Sequence, residues 1–238
     1  MRSLLSLRRL ERVGDVFATI RGHDSGCTSY GIDDGNRRWF VKVAYGDDVE
    51  QLRSAERFHG RAVVYPWTPG EILNDPLAPG GIPHAARDSA LNRFRVRPVA
   101  EIRRVLDTAI DAHVTVAARG FVAVDFYDGC LMYDATTERV ALVDLDMYSP
   151  GPYILQADRQ YGSRRFMAPE EFVRGSIIDE RTTVFTLGRA ARVLLGEPGR
   201  WRASGALESV TARATAADPS ARFASVAEFA AAWRNCLA

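Results

Sequence analysis

The sequence predicts an α+β fold, with a small antiparallel β-rich part followed by a larger, mainly helical part. Three observations carry this expectation. Residues 16–44 alternate short apolar runs with turn residues, the pattern of strands in a meander. A stretch of punctuating residues, Pro66-Trp67-Thr68-Pro69-Gly70, then interrupts the chain. Beyond it, apolar residues recur at helical spacing over 99–118 and through most of the chain beyond Glu170.

Taken in order, 16–21 reads as a strand that runs into the turn-rich loop Gly22-His23-Asp24-Ser25-Gly26. Residues 27–32 form the next strand, and Asp33-Asp34-Gly35-Asn36 is a hairpin turn. Residues 37–44 close the meander. Over 47–59, Val49, Leu52, Ala55 and Phe58 fall at helical spacing, and 62–65 is a short strand leading to the linker. Residues 74–97, rich in Pro, Gly and Arg, read as irregular. In 99–118, Ile102, Leu106, Ile110, Val114 and Ala117 mark one face of a helix that stops at Gly120. Short strands come next, at 131–133 and 140–143. Helices are expected at 182–195, about 204–217 and 225–237, the last opened by a Ser225-Val-Ala-Glu228 capping box. The boundary between the two parts falls near 66–70.

Composition narrows the function classes. The chain has 238 residues, 47% hydrophobic and 26% charged, enough for a sizeable core. A formal net charge of +1 gives no reason to expect nucleic acid or an acidic membrane as the main partner. Three cysteines (Cys27, Cys130, Cys236) without CxxC spacing argue against a disulfide framework or a zinc site. No apolar run reaches the roughly 18–20 residues that span a bilayer, and the N-terminal stretch lacks a signal peptide's apolar length. A cytoplasmic protein is expected. His23, His59, His84 and His113 show no ligand spacing and read as solvated or structural.

One residue stands apart. Among 31 Lys+Arg, only Lys42 is a lysine, and it sits in the apolar run Phe40-Val41-Lys42-Val43-Ala44. An ammonium is a compact point charge where a guanidinium is a planar fork, so this position points to a site that needs the former. Acidic residues gather where later loops meet strands: Asp125 and Asp128 before 131–133, Asp144 and Asp146 after 140–143. A carboxylate at the end of a buried strand needs a positive partner, and paired carboxylates suit Mg²⁺.

These residues together resemble the protein kinase-like superfamily, in particular the eukaryotic-type serine/threonine kinase domains of bacteria. Val41-Lys42-Val43 matches the lysine strand, and Glu56 its helix partner. Ala123-Val124-Asp125 stands at the H-R-D position, Asp144-Leu145-Asp146 at D-F-G, and Met167-Ala168-Pro169-Glu170 is an intact A-P-E. Asp179–Gly188 resembles the buried helix that supports the catalytic loop. Ala217-Asp218-Pro219-Ser-Ala-Arg222-Phe223 resembles the late motif whose arginine pairs with the A-P-E glutamate.

The resemblance implies one bilobal domain, with an N-lobe over 1–66, a hinge at 67–70 and a C-lobe over 71–238. It implies ATP and Mg²⁺ as cofactors and a protein carrying a Ser or Thr hydroxyl as substrate. Lys42 would hold the α/β-phosphates, with Glu56 fixing it. Gly22, Ser25 and Gly26 would cover the phosphates, although this loop is closer to that of antibiotic-modifying phosphotransferases. Adenine would meet the Thr68 N–H and the Pro66 carbonyl. Asp144 would hold the metal, and Asp125 would act on the substrate hydroxyl.

Four departures from the pattern carry expectations of their own. Cys130 stands where a metal-binding asparagine would be, and a thiol is a poor Mg²⁺ ligand, so Asp146 or Asp128 would supply the missing oxygen. The H-R-D arginine is absent, and Thr183 replaces the aspartate that ties down the catalytic loop, so no activation by phosphorylation within 147–166 is expected. A single strand candidate lies between Glu56 and the hinge. Residues 196–206 are short for a substrate-docking helix. Two alternatives stand beside a protein kinase: a pseudokinase that binds nucleotide or scaffolds, and a small-molecule kinase resembling aminoglycoside kinases.

Overall fold

A computed structural model of the protein describes residues 13–20, 27–43, 62–74, 89–197 and 200–236. The expected loop at 22–26 and helix at 47–59 lie outside the described residues. The chain divides into two compact units, Met1–Pro69 with Pro76–Gly81, and Gly70–Asp75 with Ile82–Ala238.

In the first unit, β1 (Asp15–Ile20), β2 (Thr28–Asp33), β3 (Arg38–Val43) and β4 (Ala62–Pro66) form an antiparallel sheet in that order. The turn between β2 and β3 is held by its own side chains. Asp33 Oδ1 accepts from the Gly35 N–H at 3.0 Å, and Asp34 Oδ1 accepts from the Asn36 and Arg37 N–H groups at 2.9 Å each. Gly35 takes φ +87°, which glycine adopts at little steric cost. Tyr30, Ile32, Val41, Val43 and Ala62 form the buried face. The apolar run around Lys42 alternates in burial. Val41 and Val43 are buried, while Phe40 and Lys42 are half-buried, because successive strand side chains point to opposite faces.

The second unit opens with β5 (Glu71–Ile72), which later pairs with β7. Helix α1 (Ala90–Arg95) corrects the irregular reading of 74–97. Its six residues are too few to show a period among Arg and Pro. Ser89 caps it by accepting from the Asn92 N–H at 3.3 Å, and Leu91 and Phe94 anchor it in the core. Helix α2 (Val99–Ala118) has the span its apolar stripe predicts. Then come β6 (Phe121–Val122) and the hairpin of β7 (Leu131–Asp134) and β8 (Arg139–Leu142). Small pairs come after it: β9 (Ser149–Pro150) with β6, and β10 (Tyr153–Ile154) with β11 (Ile177–Ile178).

Helix α3 (Glu180–Leu195) runs through the centre of this unit and buries Val184, Leu187, Ala191, Leu194 and Leu195. Strands β12 (Gly196–Glu197) and β13 (Arg200–Trp201) pair antiparallel. Helix α4 (Gly205–Ala214) stops three residues before its expected end. Asp218-Pro219 comes next, and the residue before proline is pushed to an extended conformation. Helix α5 (Val226–Asn235) is capped by Ser225, which accepts from the Glu228 N–H at 3.1 Å. The Glu228 carboxylate reaches back one residue further than a capping box requires, to the Ala224 N–H at 2.8 Å. Trp233 of α5 is fully buried against this core, and its indole N–H donates to Asp107 of α2 at 2.6 Å.

Candidate active site

The loop after β6 is fixed from below by α3. The Ala123 N–H donates to Thr183 Oγ1 at 3.0 Å, and Thr183 is 2% exposed. The tie expected to be lost with the missing aspartate is thus retained in another form. The Thr183 hydroxyl accepts the loop's amide hydrogen bond without adding a buried charge. Asp125 lies further along this loop with φ +59°, and Asp144 has φ +56°. A non-glycine residue held there costs of order 1–3 kcal/mol and persists only where its surroundings impose it. Such outliers collect at functional sites, although Glu138 in the β7–β8 turn shares the conformation with φ +54°.

Cys130 draws the two strained positions together. Its thiol donates to the Asp125 carbonyl at 3.4 Å and, more weakly, to the Asp144 carbonyl at 3.9 Å. The Val143 N–H donates to the Cys130 carbonyl at 2.9 Å. The Cys130 side chain is fully buried. Burial pushes its thiol well above the ordinary value, and the charges of Asp144, Asp125 and Asp128 add to this. Cys130 is therefore a buried filler joining two loops and an unreactive thiol. In the folded protein, alkylation is expected to mark Cys236, which is only partly buried, and to spare Cys130 until the chain is denatured. Peptide mass mapping after iodoacetamide treatment checks this, and rapid native labelling of Cys130 would contradict it.

The segment before Glu170 packs onto the same loop. The Ser163 N–H donates to Asp125 Oδ1 at 2.9 Å. Gly162 has φ +149°, and a Cβ added there would lie 3.1 Å from Asp125 Oδ1, so only glycine brings the backbone over this carboxylate without strain. Arg165 Nη2 donates to both oxygens of Asp128, at 2.7 and 2.6 Å, and Asn74 Nδ2 adds a bond at 3.0 Å. Glu170 meets Arg222 in a buried two-bond pair at 2.7 and 2.8 Å, with the Thr182 hydroxyl donating at 2.9 Å. The residue after it, Glu171, is 2% exposed and accepts from the Ala168 N–H at 2.6 Å. Burial pushes the Glu171 carboxyl up to about 7, against the pull of that N–H, with Glu170 and Asp125 adding to the rise. Asp125, Ser163, Phe166, Glu171 and Thr186 line one small pocket.

Of the residues singled out in the sequence, Asp125, Asp144 and Cys130 are brought together in the second unit, with the Ser163 N–H on Asp125. Asp144 is exposed rather than desolvated, because β8 before it is only half-buried. That corrects the argument that it needs a counter-charge on grounds of burial. Lys42 lies on β3, opposite Ser29 of β2 and Val63 of β4. Pro66 ends β4 and pairs with Trp39, and Thr68 is exposed in the linker. Gly22, Ser25, Gly26 and Glu56 lie outside the described residues, as do His23, His59 and His84.

His113 is buried, with Nδ1 against the Ala109 carbonyl at 2.7 Å and Nε2 against the Tyr148 hydroxyl at 2.6 Å. Sequence reasoning missed Arg165, Glu171 and the Thr183 hydroxyl bond. The first two lie in ordinary-looking charged stretches, and only the fold shows which members are buried.

The donor set suits Mg²⁺. That ion is usually bound by one or two carboxylates plus substrate phosphates, and Asp144 and Asp146 offer oxygens two residues apart. Among the described residues, no group of three or more His, Cys, Asp or Glu could hold a metal by itself. Arg165 already occupies both oxygens of Asp128.

No family model and no curated protein matches the chain. Among solved structures, the Cydia pomonella granulovirus kinase PK-1 superposes with a TM-score of 0.65 at 13% identity, covering 94% of each chain. The protein has a protein kinase-like fold. No helix among the described residues is long and apolar enough to cross a membrane.

Proposed function

We propose that the protein is an ATP- and Mg²⁺-dependent phosphotransferase that moves the γ-phosphoryl group to a Ser or Thr hydroxyl of a protein substrate. The observation that carries this reading is the Asp125–Cys130–Asp144 arrangement, two aspartates on left-handed backbone whose main-chain carbonyls are linked through one buried thiol, on a kinase-like fold. Asp125 would accept the hydrogen bond of the incoming hydroxyl and then its proton, its carboxylate held in place by the Ser163 N–H. Asp144, with Asp146, would hold Mg²⁺, which supplies charge neutralisation at the phosphates. Lys42 would bind the α/β-phosphates as a point charge, partnered by Glu56. Gly22, Ser25 and Gly26 would approach the phosphates through backbone N–H groups, and the adenine would bond to the Pro66 carbonyl and the Thr68 N–H.

The protein acceptor is favoured over a small molecule by the Glu170–Arg222 pair, which fixes the segment on which a peptide would lie. A second reading, a nucleotide-binding module without turnover, is favoured by the thiol of Cys130 where a metal-binding oxygen would serve transfer better.

ATP with Mg²⁺ at about 100 times its dissociation constant should stabilise the fold by roughly 2.7 kcal/mol, a shift that Lys42→Met should diminish. A shift accompanied by transfer to a protein substrate supports the enzyme. A shift without transfer supports the binding module, and the absence of any shift would sink both.

A further inference from the structure

We infer that the Arg165–Asp128 pair is a built-in latch that holds the acceptor-binding segment on the catalytic loop without phosphorylation, an inference that rests on the phosphotransferase reading above. The chain lacks the H-R-D arginine that would receive a phosphate, since Val124 stands there. Arg165 and Asp128 supply a link from the segment itself. Asp128 is 1% exposed and lies three residues after Asp125 in the same loop. Arg165 lies two residues after Ser163. The two segments are therefore joined twice, by the Ser163 N–H to Asp125 and by Arg165 to Asp128.

The latch has its own supports. Asn74 donates to Asp128, and Arg189 Nε of α3 donates to the Arg165 carbonyl at 2.7 Å. Within the segment, the Phe166 and Met167 N–H groups donate to the Ser163 carbonyl at 2.8 and 3.3 Å, so the turn that presents Ser163 to Asp125 also carries Arg165. A buried carboxylate that loses its arginine is strongly destabilising, whereas removing both partners leaves no stranded charge. This asymmetry separates positioning from mere stability. Arg165 and Asp128 are positioning residues, acting on the acceptor through Ser163 and Asp125.

Hydrogen–deuterium exchange at Ser163, Phe166 and Met167 tests the latch in the full chain, with phosphate-free protein verified by mass. Arg165→Ala should speed exchange there about a hundredfold and raise the acceptor KM about tenfold, with nucleotide affinity unchanged. Arg165→Lys, which keeps the charge but loses the fork, should fall between. The double variant Asp128→Ala/Arg165→Ala should regain most of the lost thermal stability yet keep the fast exchange and the high acceptor KM.

The latch is overturned if Arg165→Ala, or the Lys and double variants should it not fold, leaves exchange at wild-type rates. It is equally overturned if the double variant restores protection along with stability, or if phosphate within 147–166 is needed for protection. If the wild type shows no transfer, the phosphotransferase reading fails while the exchange measurement still decides whether the latch exists.

Discussion

Arg222→Ala lowers the stability of the protein by about 3–5 kcal/mol, a fall in Tm of roughly 10 °C for a domain of this size. All five N–H donors of the Arg222 guanidinium are used. Nη1 and Nη2 each give one bond to Glu170, Nη1 gives another to the Arg181 carbonyl, Nη2 to the Ala217 carbonyl, and Nε to the Ala216 carbonyl. The Arg222 side chain is 0% exposed and that of Glu170 8%. Truncation strands a buried carboxylate, with the Thr182 hydroxyl remaining on it. It also removes a donor from three backbone carbonyls. Arg222→Lys should recover little, because an ammonium has three donors and no planar fork. Denaturant melts with an unchanged m-value measure the loss, and a loss below about 1 kcal/mol would contradict the pair's structural weight.

Stability should be nearly flat from about pH 4.5 to 6.5, because two buried groups oppose each other there. His113 is pushed down from 6.5 to about 4 by burial, against the pull of the Ala109 carbonyl. The unfolded chain takes up a proton that the folded chain refuses. The His113 contribution is therefore full above its unfolded value of 6.5 and is lost as pH falls through about 4. Glu171 is pushed up from 4.5 to about 7, so the folded chain keeps a proton that the unfolded chain releases. The Glu171 contribution is full below its unfolded value of 4.5 and is lost as pH rises through about 7.

Each window is worth roughly 3 kcal/mol at about 1.4 kcal/mol per unit, and in the overlap the two slopes cancel. Asp33, Asp34, Asp134 and Asp218, held below 3.8 chiefly by side-chain hydrogen bonds, act at more acid pH. Removing either group should uncover the other. Glu171→Gln, which keeps an acceptor for the Ala168 N–H, should gain stability steadily as pH rises from about 4.5 to 6.5. His113→Gln should lose stability over the same range. Equal slopes in wild type and both variants would contradict the assignment.

Long-period and motif features are legible in the sequence. The stripe from Ile102 to Ala117 specifies α2 because one helix face must be buried. Glu170 and Arg222 can be paired from their motifs across 52 positions. The features that stay hidden depend on tertiary placement. A hydroxyl such as Thr183 carries no signal that it will accept the Ala123 N–H. Arg165 looks like any surface charge, and Asp128 reads as a candidate metal oxygen, until the fold buries Asp128 and aims Arg165 at it. The left-handed backbone at Asp125 and Asp144 has no local marker such as glycine. Asp144 reads as desolvated because the strand before it looks apolar, yet the residue itself is exposed.

Transfer of labelled γ-phosphate from ATP to a protein acceptor, compared between wild type, Asp125→Asn and Asp144→Asn, tests the phosphotransferase assignment most directly. The wild type should label Ser or Thr in a Mg²⁺-dependent reaction. Asp125→Asn should slow it about 10²–10⁴-fold while nucleotide still binds, and Asp144→Asn should abolish both the reaction and its Mg²⁺ dependence. A wild type that binds ATP and Mg²⁺ yet transfers nothing, or variants that transfer at the wild-type rate, would contradict it.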